Sequence, residues 1–202
     1  MSGEPATVRA IPASQLARRE RILDAAMELA AEGGYDAVQM REVAERADVA
    51  LGTVYRYFPS KVHLLVAAMS RKFQTLQDSV RSTGNGGTPE ERIYRVVATV
   101  TRYLARHRRL SGAMIRALMS ADAQAAREVE QAGDQLVALI ASASRDPDAP
   151  VPAPAESEHD ALVAHIIGKV WLTDVVTLLS GRMTVSQVLE DLQATIALVT
   201  RP

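Results

Sequence analysis

The 202 residues carry 23 Lys and Arg against 24 Asp and Glu, a formal net charge of −1, with 48% apolar residues, 4% aromatic residues and no cysteine. That balance supplies a core of ordinary size and excludes a disordered chain or a uniformly basic nucleic-acid coat. The missing thiols exclude disulfides, thiol nucleophiles and thiolate metal sites.

Leu, Ala, Val, Met, Glu, Arg and Gln dominate, which favours helices over strands. The expected fold class is all-α with about nine helices. Met1 to Pro12 is polar and breaker-rich, and reads as a mobile arm. It holds no apolar signal segment, so the expectation is a cytoplasmic protein that works at the nucleoid. A first helix is predicted from about Ala13 to Glu32, on the spacing of Ile22, Ala25, Ala26, Leu29 and Ala30. Gly33-Gly34 should end it, because glycine takes a left-handed C-cap conformation freely.

Two short helices follow, at about Met40 to Ala47 and Ala50 to Tyr57. Ser60 is a natural N-cap for a longer helix reaching about Ser79. Ser82 to Gly87 reads as a turn. Thr88-Pro89-Glu90-Glu91 is a strong helix start, with Ile93, Val97, Val100 and Leu104 as the buried stripe. Helices are predicted over Arg109 to Met119 and Ala121 to Ala143. The Pro-rich, acidic run from Arg145 to Glu158 reads as a long loop. Ala161 to Ser180 is apolar nearly all round and should be buried on more than one side. Its core, Leu162 to Leu179, holds His165, Lys169 and Asp174 and is too polar for a membrane span. Thr184 and Gln187 make another capping box, opening a last helix whose apolar face is Val185, Val188, Leu189, Leu192, Ile196 and Val199.

The informative stretch is VQMREVAERADVALGTVYRYFPSKVHLL, Val38 to Leu65. Two short helices around a tight turn make a helix-turn-helix, with Val43, Ala44, Ala47, Val49, Val54 and Phe58 as its small core. Gly52, Thr53, Tyr55, Arg56 and Tyr57 then fall near the outer face of the second helix, which suits a major groove that admits one helix. Gly52 permits close backbone approach. Thr53 and the tyrosine hydroxyls can donate to phosphate, although Tyr55 and Tyr57 equally suit packing. Arg56 can read guanine or bind phosphate, and Lys61 can add a phosphate contact. Up to Lys72 there are ten basic and nine acidic residues, so positive groups must be placed locally and acids turned away.

The run GTVYRYFPSKVHLL resembles the signature of the TetR family, as do Gly33-Gly34-Tyr35, Val43-Ala44 and Ala47-Asp48-Val49. The resemblance implies a homodimeric DNA-binding repressor with a helical effector domain. It also implies that Gln39, Met40 and Arg41 lie against the DNA backbone, although the family often has Thr where Gln39-Met40 stands. Arg18, Arg19 and Arg21 are further candidates. The implied division is an arm at 1–12, a DNA-binding domain at 13–59 and an effector-binding and dimerisation domain at 60–202. Helix-turn-helix dimers read near-palindromic operators. The longer run GGYDAVQMREVAERADVALGTVYRYFPSKVHLL is similar to actinobacterial members that repress sterol-degradation genes. This implies a steroid acyl-CoA thioester as effector and no cofactor. Regulators of efflux or fatty-acid metabolism share the same reading head.

Met69, Phe73, Leu76, Val97, Val100, Leu104, Met114, Leu118, Met119, Trp171, Leu172 and Val175 are candidates to line an apolar cavity, and any one of them equally fits plain core. Arg102, Arg106, His107, Arg108 and Arg109 form a basic cluster that reads either as a solvated helix end or as a seat for an anionic tail. The expected dimer interface is Leu162, His165, Ile166, Leu189, Leu192, Ile196 and Val199. The helix from Ser60 is the expected lever between effector and DNA. An enzyme is disfavoured: the four histidines at 63, 107, 159 and 165 form no His-Glu-x-x-His arrangement, and Gly84-Asn85-Gly86-Gly87 lacks a preceding strand. A helical interaction module would have no need of the Tyr-Arg-Tyr-Phe and Ser-Lys pattern.

Overall fold

The structure is a computed structural model that describes residues 13–82, 86–144 and 158–200. The predicted arm at 1–12, the middle (83–85) of the predicted turn at 82–87 and nearly all of the predicted loop at 145–158 lie outside those residues. Among the described residues there are nine α-helices, one 3-10 turn and no strand.

Helix α1 (Ala13–Ala37) buries Ile22, Leu23, Ala26 and Ala30 at helical spacing. It runs past its predicted end at Glu32. Gly34 takes φ 72° and ψ −159° and kinks the helix, and one further turn follows. Helices α2 (Met40–Arg46) and α3 (Leu51–Tyr57) are the predicted short pair. Between them Asp48 sits at φ 51°. Val49 N donates to Ala44 O at 3.0 Å and so closes the end of α2. This is the helix-stopping loop usually made by glycine, and a short aspartate tolerates the same left-handed backbone.

Helix α4 (Lys61–Ser82) begins where Ser60 predicted. The imidazole of His63 fixes that start. Its Nε2 lies 3.1 Å from the carbonyl of Gln124, so Nε2 is the protonated nitrogen and Nδ1 accepts from Ser60 Oγ at 2.9 Å. Helix α5 (Pro89–Arg106) has the full Thr88–Glu91 capping box. It buries Ile93, Val97 and Val100, with Leu104 partly covered. Helix α6 is Arg108–Met119. The next predicted helix starts later than Ala121, because Asp122 Oδ1 accepts from Gln124 N and Ala125 N and holds Ala123–Ala125 as a 3-10 turn. Helix α7 (Ala126–Ser144), α8 (Glu158–Leu179) and α9 (Val185–Val199, with the predicted Thr184–Gln187 box) complete the chain.

Helices α1 to α3 form a small head. Helix α4 leaves it and packs on α7, while α1 lies along α6; α8 packs against α7 and α9, and α5 against α7 and α9. One buried cluster runs without a break from Ile22 through Val54, Leu65 and Trp171 to Ile196. Arginines close several helix ends, whose last carbonyls have no intrahelical partner. Arg92 donates to Ala143 O (3.0 Å) and Ser144 O (2.7 Å) at the end of α7. Arg108 donates to Leu179 O at the end of α8 (3.0 Å), and Arg109 to Glu32 O in α1 (2.8 Å). Two members of the predicted basic cluster therefore serve as caps, each cation meeting the negative end of a helix dipole.

Helix α8 is long and apolar enough by length and composition to cross a membrane. It is instead a core helix of the bundle, burying Ile167, Trp171, Val175 and Leu178. Its burial is one-sided rather than all round: Leu162 and Ile166 remain 56% and 36% exposed, with His165 beside them. Asp174, on the buried side, has an Oδ2 with no hydrogen-bond partner. Burial, and secondarily the charge of Asp191 on α9, pushes its carboxyl above the ordinary value of 3.8. A raised carboxyl binds its proton more tightly in the folded state, so the fold is less stable once pH rises past both values. Asp174→Asn is therefore expected to stabilise the protein at pH 7 by about 1 kcal/mol, the low end for an unmet buried polar group. Thermal melts should show that gain shrinking as pH falls toward 3.8; a gain independent of pH would mean that packing, and not charge, is at stake.

Candidate functional site

Two features lie on opposite sides of α6: the outer face of the head and an enclosed apolar cavity. On the head, Gln39, Met40, Tyr55 and Lys61 line one open groove together with Asp36, Val38, Pro59 and Ser60. Gln39 is exposed at the N-terminus of α2, whose cap has no side-chain hydrogen bond, so its amide is available. Met40 is half-buried against the core, and Arg41 is exposed, 3.4 Å from Glu45. On α3, Tyr55 is exposed, as are Gly52 and Arg56, while Thr53 is half-buried. A Cβ built on Gly52 meets nothing within 4 Å, so the chain's own packing does not require glycine there.

Tyr57 differs from the expectation of a free hydroxyl: it donates to Gln15 O at 3.3 Å, which ties α3 to α1. Arg56 lies 5.5 Å from the Tyr57 ring. Arg19 turns back over Phe58 at 5.4 Å, and Arg18 is partly covered, whereas Arg21 is exposed. Lys61 Nζ lies 4.0 Å from the centroid of Tyr35 and donates to Tyr35 O at 3.3 Å. An ammonium has three donors, so others stay available to an anion.

Several acids of the head are paired within the chain. Arg46 bonds Glu32 at 2.6 Å, and that hydrogen bond holds the Glu32 carboxyl below its ordinary value. Arg71 of α4 binds Glu20 and Asp24 of α1, both at 2.7 Å. Arg116 of α6 binds Asp36 at 3.0 Å and stacks 4.4 Å from the Tyr35 ring. Tyr35 is thus held between Lys61 and Arg116. The ties made by Arg71 and Arg116 join residues 47 to 80 positions apart. No local sequence pattern announces them.

The cavity has a volume of about 140 Å³. Ten of the predicted residues line it: Met69, Phe73, Leu76, Val100, Leu104, Met114, Leu118, Trp171, Leu172 and Val175. Two do not. Val97 is buried but lies one turn before the α5 residues that line the cavity, and Met119 ends α6 with 69% of its surface exposed. Helical period alone placed both on the stripe, one turn too early and one residue too late. Lys72, Tyr103, Ser111 and Leu136 belong to the lining and were missed. Lys72 Nζ lies 4.7 Å from the Tyr103 centroid. Trp171 packs edge-on to Phe73, and its Nε1 donates to Thr101 Oγ1 at 2.8 Å.

The predicted interface set is also corrected in part. Leu192 and Ile196 are 0% and 2% exposed within the chain's own core and have no surface to offer a partner. Leu162, His165 and Ile166 are exposed; Leu189 and Val199 are partly so. Leu198 of α9, 70% exposed, is an outward apolar side chain absent from the prediction. Among the described residues no group of three His, Asp or Glu side chains could hold a metal.

A helix-turn-helix head on a helical bundle that holds an apolar cavity is the build of a DNA-binding regulator. The comparisons make this specific. The profile of the bacterial regulatory proteins of the tetR family matches residues 22–68, and the tetracyclin repressor-like C-terminal domain matches residues 86–199. The chain belongs to the TetR family. It is 46% identical to the HTH-type transcriptional repressor KstR of Rhodococcus jostii, over 92% of this chain and 84% of that one. A TetR transcriptional regulator from Rhodococcus sp. RHA1 superposes with a TM-score of 0.82 at 30% identity, over 93% of this chain and 97% of that one. The Thermus thermophilus FadR repressor, solved with lauroyl-CoA, has the same fold: TM-score 0.70 at 21% identity, over 91% of this chain and 95% of that one.

Proposed function

We propose that this chain is a transcriptional repressor that binds a near-palindromic operator as a homodimer and is released by a hydrophobic effector, controlling sterol or related lipid catabolism. Its likeness to KstR supports the repressor reading and the regulon. A steroid acyl-CoA thioester is the proposed effector. The dimer is proposed to form through the outward sides of α8 and α9, around Leu162, Ile166 and Leu198.

One observation carries the mechanism: α6 serves both features. Ser111, Met114, Ile115 and Leu118 line the cavity, while Arg109 and Arg116 hold the kinked end of α1. Ligand pockets occupy roughly 300–1,000 Å³, so a cavity of about 140 Å³ must widen to admit a sterol nucleus. Widening displaces α6 or α4, and both are bonded to the head. The effector then favours the arrangement in which the two reading helices no longer match the operator, and it must bind that state more tightly.

The test is selection of DNA from a random pool, repeated with steroid acyl-CoA thioesters. A palindrome released by such a thioester is the expected result. A palindrome indifferent to it would keep the repressor and discard the effector. No enriched sequence at low salt would discard both. The relay has its own test. Arg116→Ala removes an ion pair and a cation–π contact from each protomer, each worth up to about 1 kcal/mol. Operator affinity without effector should stay within about threefold, and the effector-induced drop should shrink by about tenfold. An undiminished drop would exclude this route.

A further inference from the structure

The geometry points to Ser111 as the polar recognition point of the cavity, a hydrogen-bonding seat for one keto or hydroxyl oxygen carried on an otherwise apolar effector. The inference rests on the effector-cavity reading above and names what that cavity recognises.

Ser111 lines the cavity and is 1% exposed, yet its Oγ has no hydrogen-bond partner. A buried polar group without a partner costs about 1–3 kcal/mol and needs an explanation. The usual resolution is close at hand and is not used. Elsewhere in these helices the hydroxyls of Thr75, Thr99, Thr173 and Thr177 donate to the carbonyl four residues back. The matching carbonyl for Ser111 is that of His107, which accepts the Ser111 backbone N–H at 2.9 Å. Other polar groups of the lining have partners: Trp171 Nε1 bonds Thr101 Oγ1, which in turn bonds Val97 O at 2.7 Å, and Lys72 Nζ lies over the Tyr103 ring. An ordered water is a poor substitute. It needs two to four polar partners, and the wall around Ser111 is built from side chains such as Met114, Leu136 and Val175. A serine hydroxyl rotates and both donates and accepts, so it suits a ketone or an alcohol. A ligand oxygen placed there would satisfy the hydroxyl and help to fix the orientation of an apolar body.

The test uses small rigid probes matched to a cavity of about 140 Å³, so that it does not depend on steroids. Indane and 2-indanone differ by one carbonyl. Their affinities for the full-length protein are measured by calorimetry in wild type, Ser111→Ala and Ser111→Cys. Loss of a hydroxyl that has no partner should leave the melting temperature of each variant unchanged or raised, which also reports that the fold is intact. The expected result is that the ratio of ketone to hydrocarbon affinity falls about tenfold from wild type to Ser111→Ala, the size of one net hydrogen bond. Ser111→Cys, a weak donor of similar shape, should fall part of the way. An unchanged ratio with both probes bound would overturn the role of Ser111 and leave the cavity standing. Indane binding to wild type without 2-indanone would overturn the role of Ser111 alone, and failure of both probes to bind would overturn the cavity reading and this inference with it.

Discussion

Trp171→Ala is expected to cost about 3–5 kcal/mol of stability, the range for truncating a buried aromatic. Trp171 is the largest of the fully buried side chains. It touches Phe73 edge-on at 6.3 Å between centroids and ends on Thr101. For a chain of this length the loss corresponds to a fall in melting temperature of roughly 6–20 °C. Trp171→Phe separates the two contributions. It keeps an aromatic ring against Phe73 and removes the N–H with part of the indole, and Thr101 still donates to Val97 O. Its cost should be about 1–2 kcal/mol by the ordinary worth of a hydrogen bond plus a small void. Equal losses in the two variants would mean that the hydrogen bond, and not the ring, holds α8 to α5. Because Trp171 also lines the cavity, the alanine variant should accept larger ligands without the widening that drives release. Binding and release would then come apart in one protein.

Lys61→Ala is expected to weaken operator binding by roughly 100-fold. One charge-assisted contact to phosphate per protomer, each near the low end of its range, gives that factor across a dimer. The slope of log affinity against log salt should become shallower by about 2, since two fewer counterions are released. Arg46→Ala is the control. Arg46 is held by Glu32 and Glu28 on an exposed surface, and its loss should change operator affinity by about threefold or less. A Lys61→Ala slope equal to that of wild type would mean that Lys61 only clamps Tyr35. The structure makes the distinction worth measuring, because Lys61 and Arg116 share that ring.

The head shows how far local chemistry reaches. Asp48 carries the turn without a glycine, so no turn signal marks it, yet α2 and α3 fall within a residue of their predicted ends. The small apolar residues on either side left few alternatives. The capping boxes at Thr88 and Thr184 were equally legible, because each is a contract between residues three apart. The start of α7 was not, since Asp122 offered its own backbone a competing bond.

What the sequence determined by itself is therefore what short-range pattern encodes: an all-helical chain, the helix-turn-helix and its family, and ten of the cavity's apolar residues. Period and propensity act over one or two turns, and that is enough for those. Only the tertiary structure decided which side of each apolar stripe meets the cavity, the core or the outside. Leu192 and Ile196 turn inward in a helix packed against α5 and α8, and Leu198 is left out. Only the tertiary structure could bring Arg71 to Glu20 and Asp24, Arg116 to Asp36, and the unpartnered hydroxyl of Ser111 to an apolar wall. These contacts join residues far apart in the chain, and the packing of one helix against another, which no window of sequence contains, sets their distances.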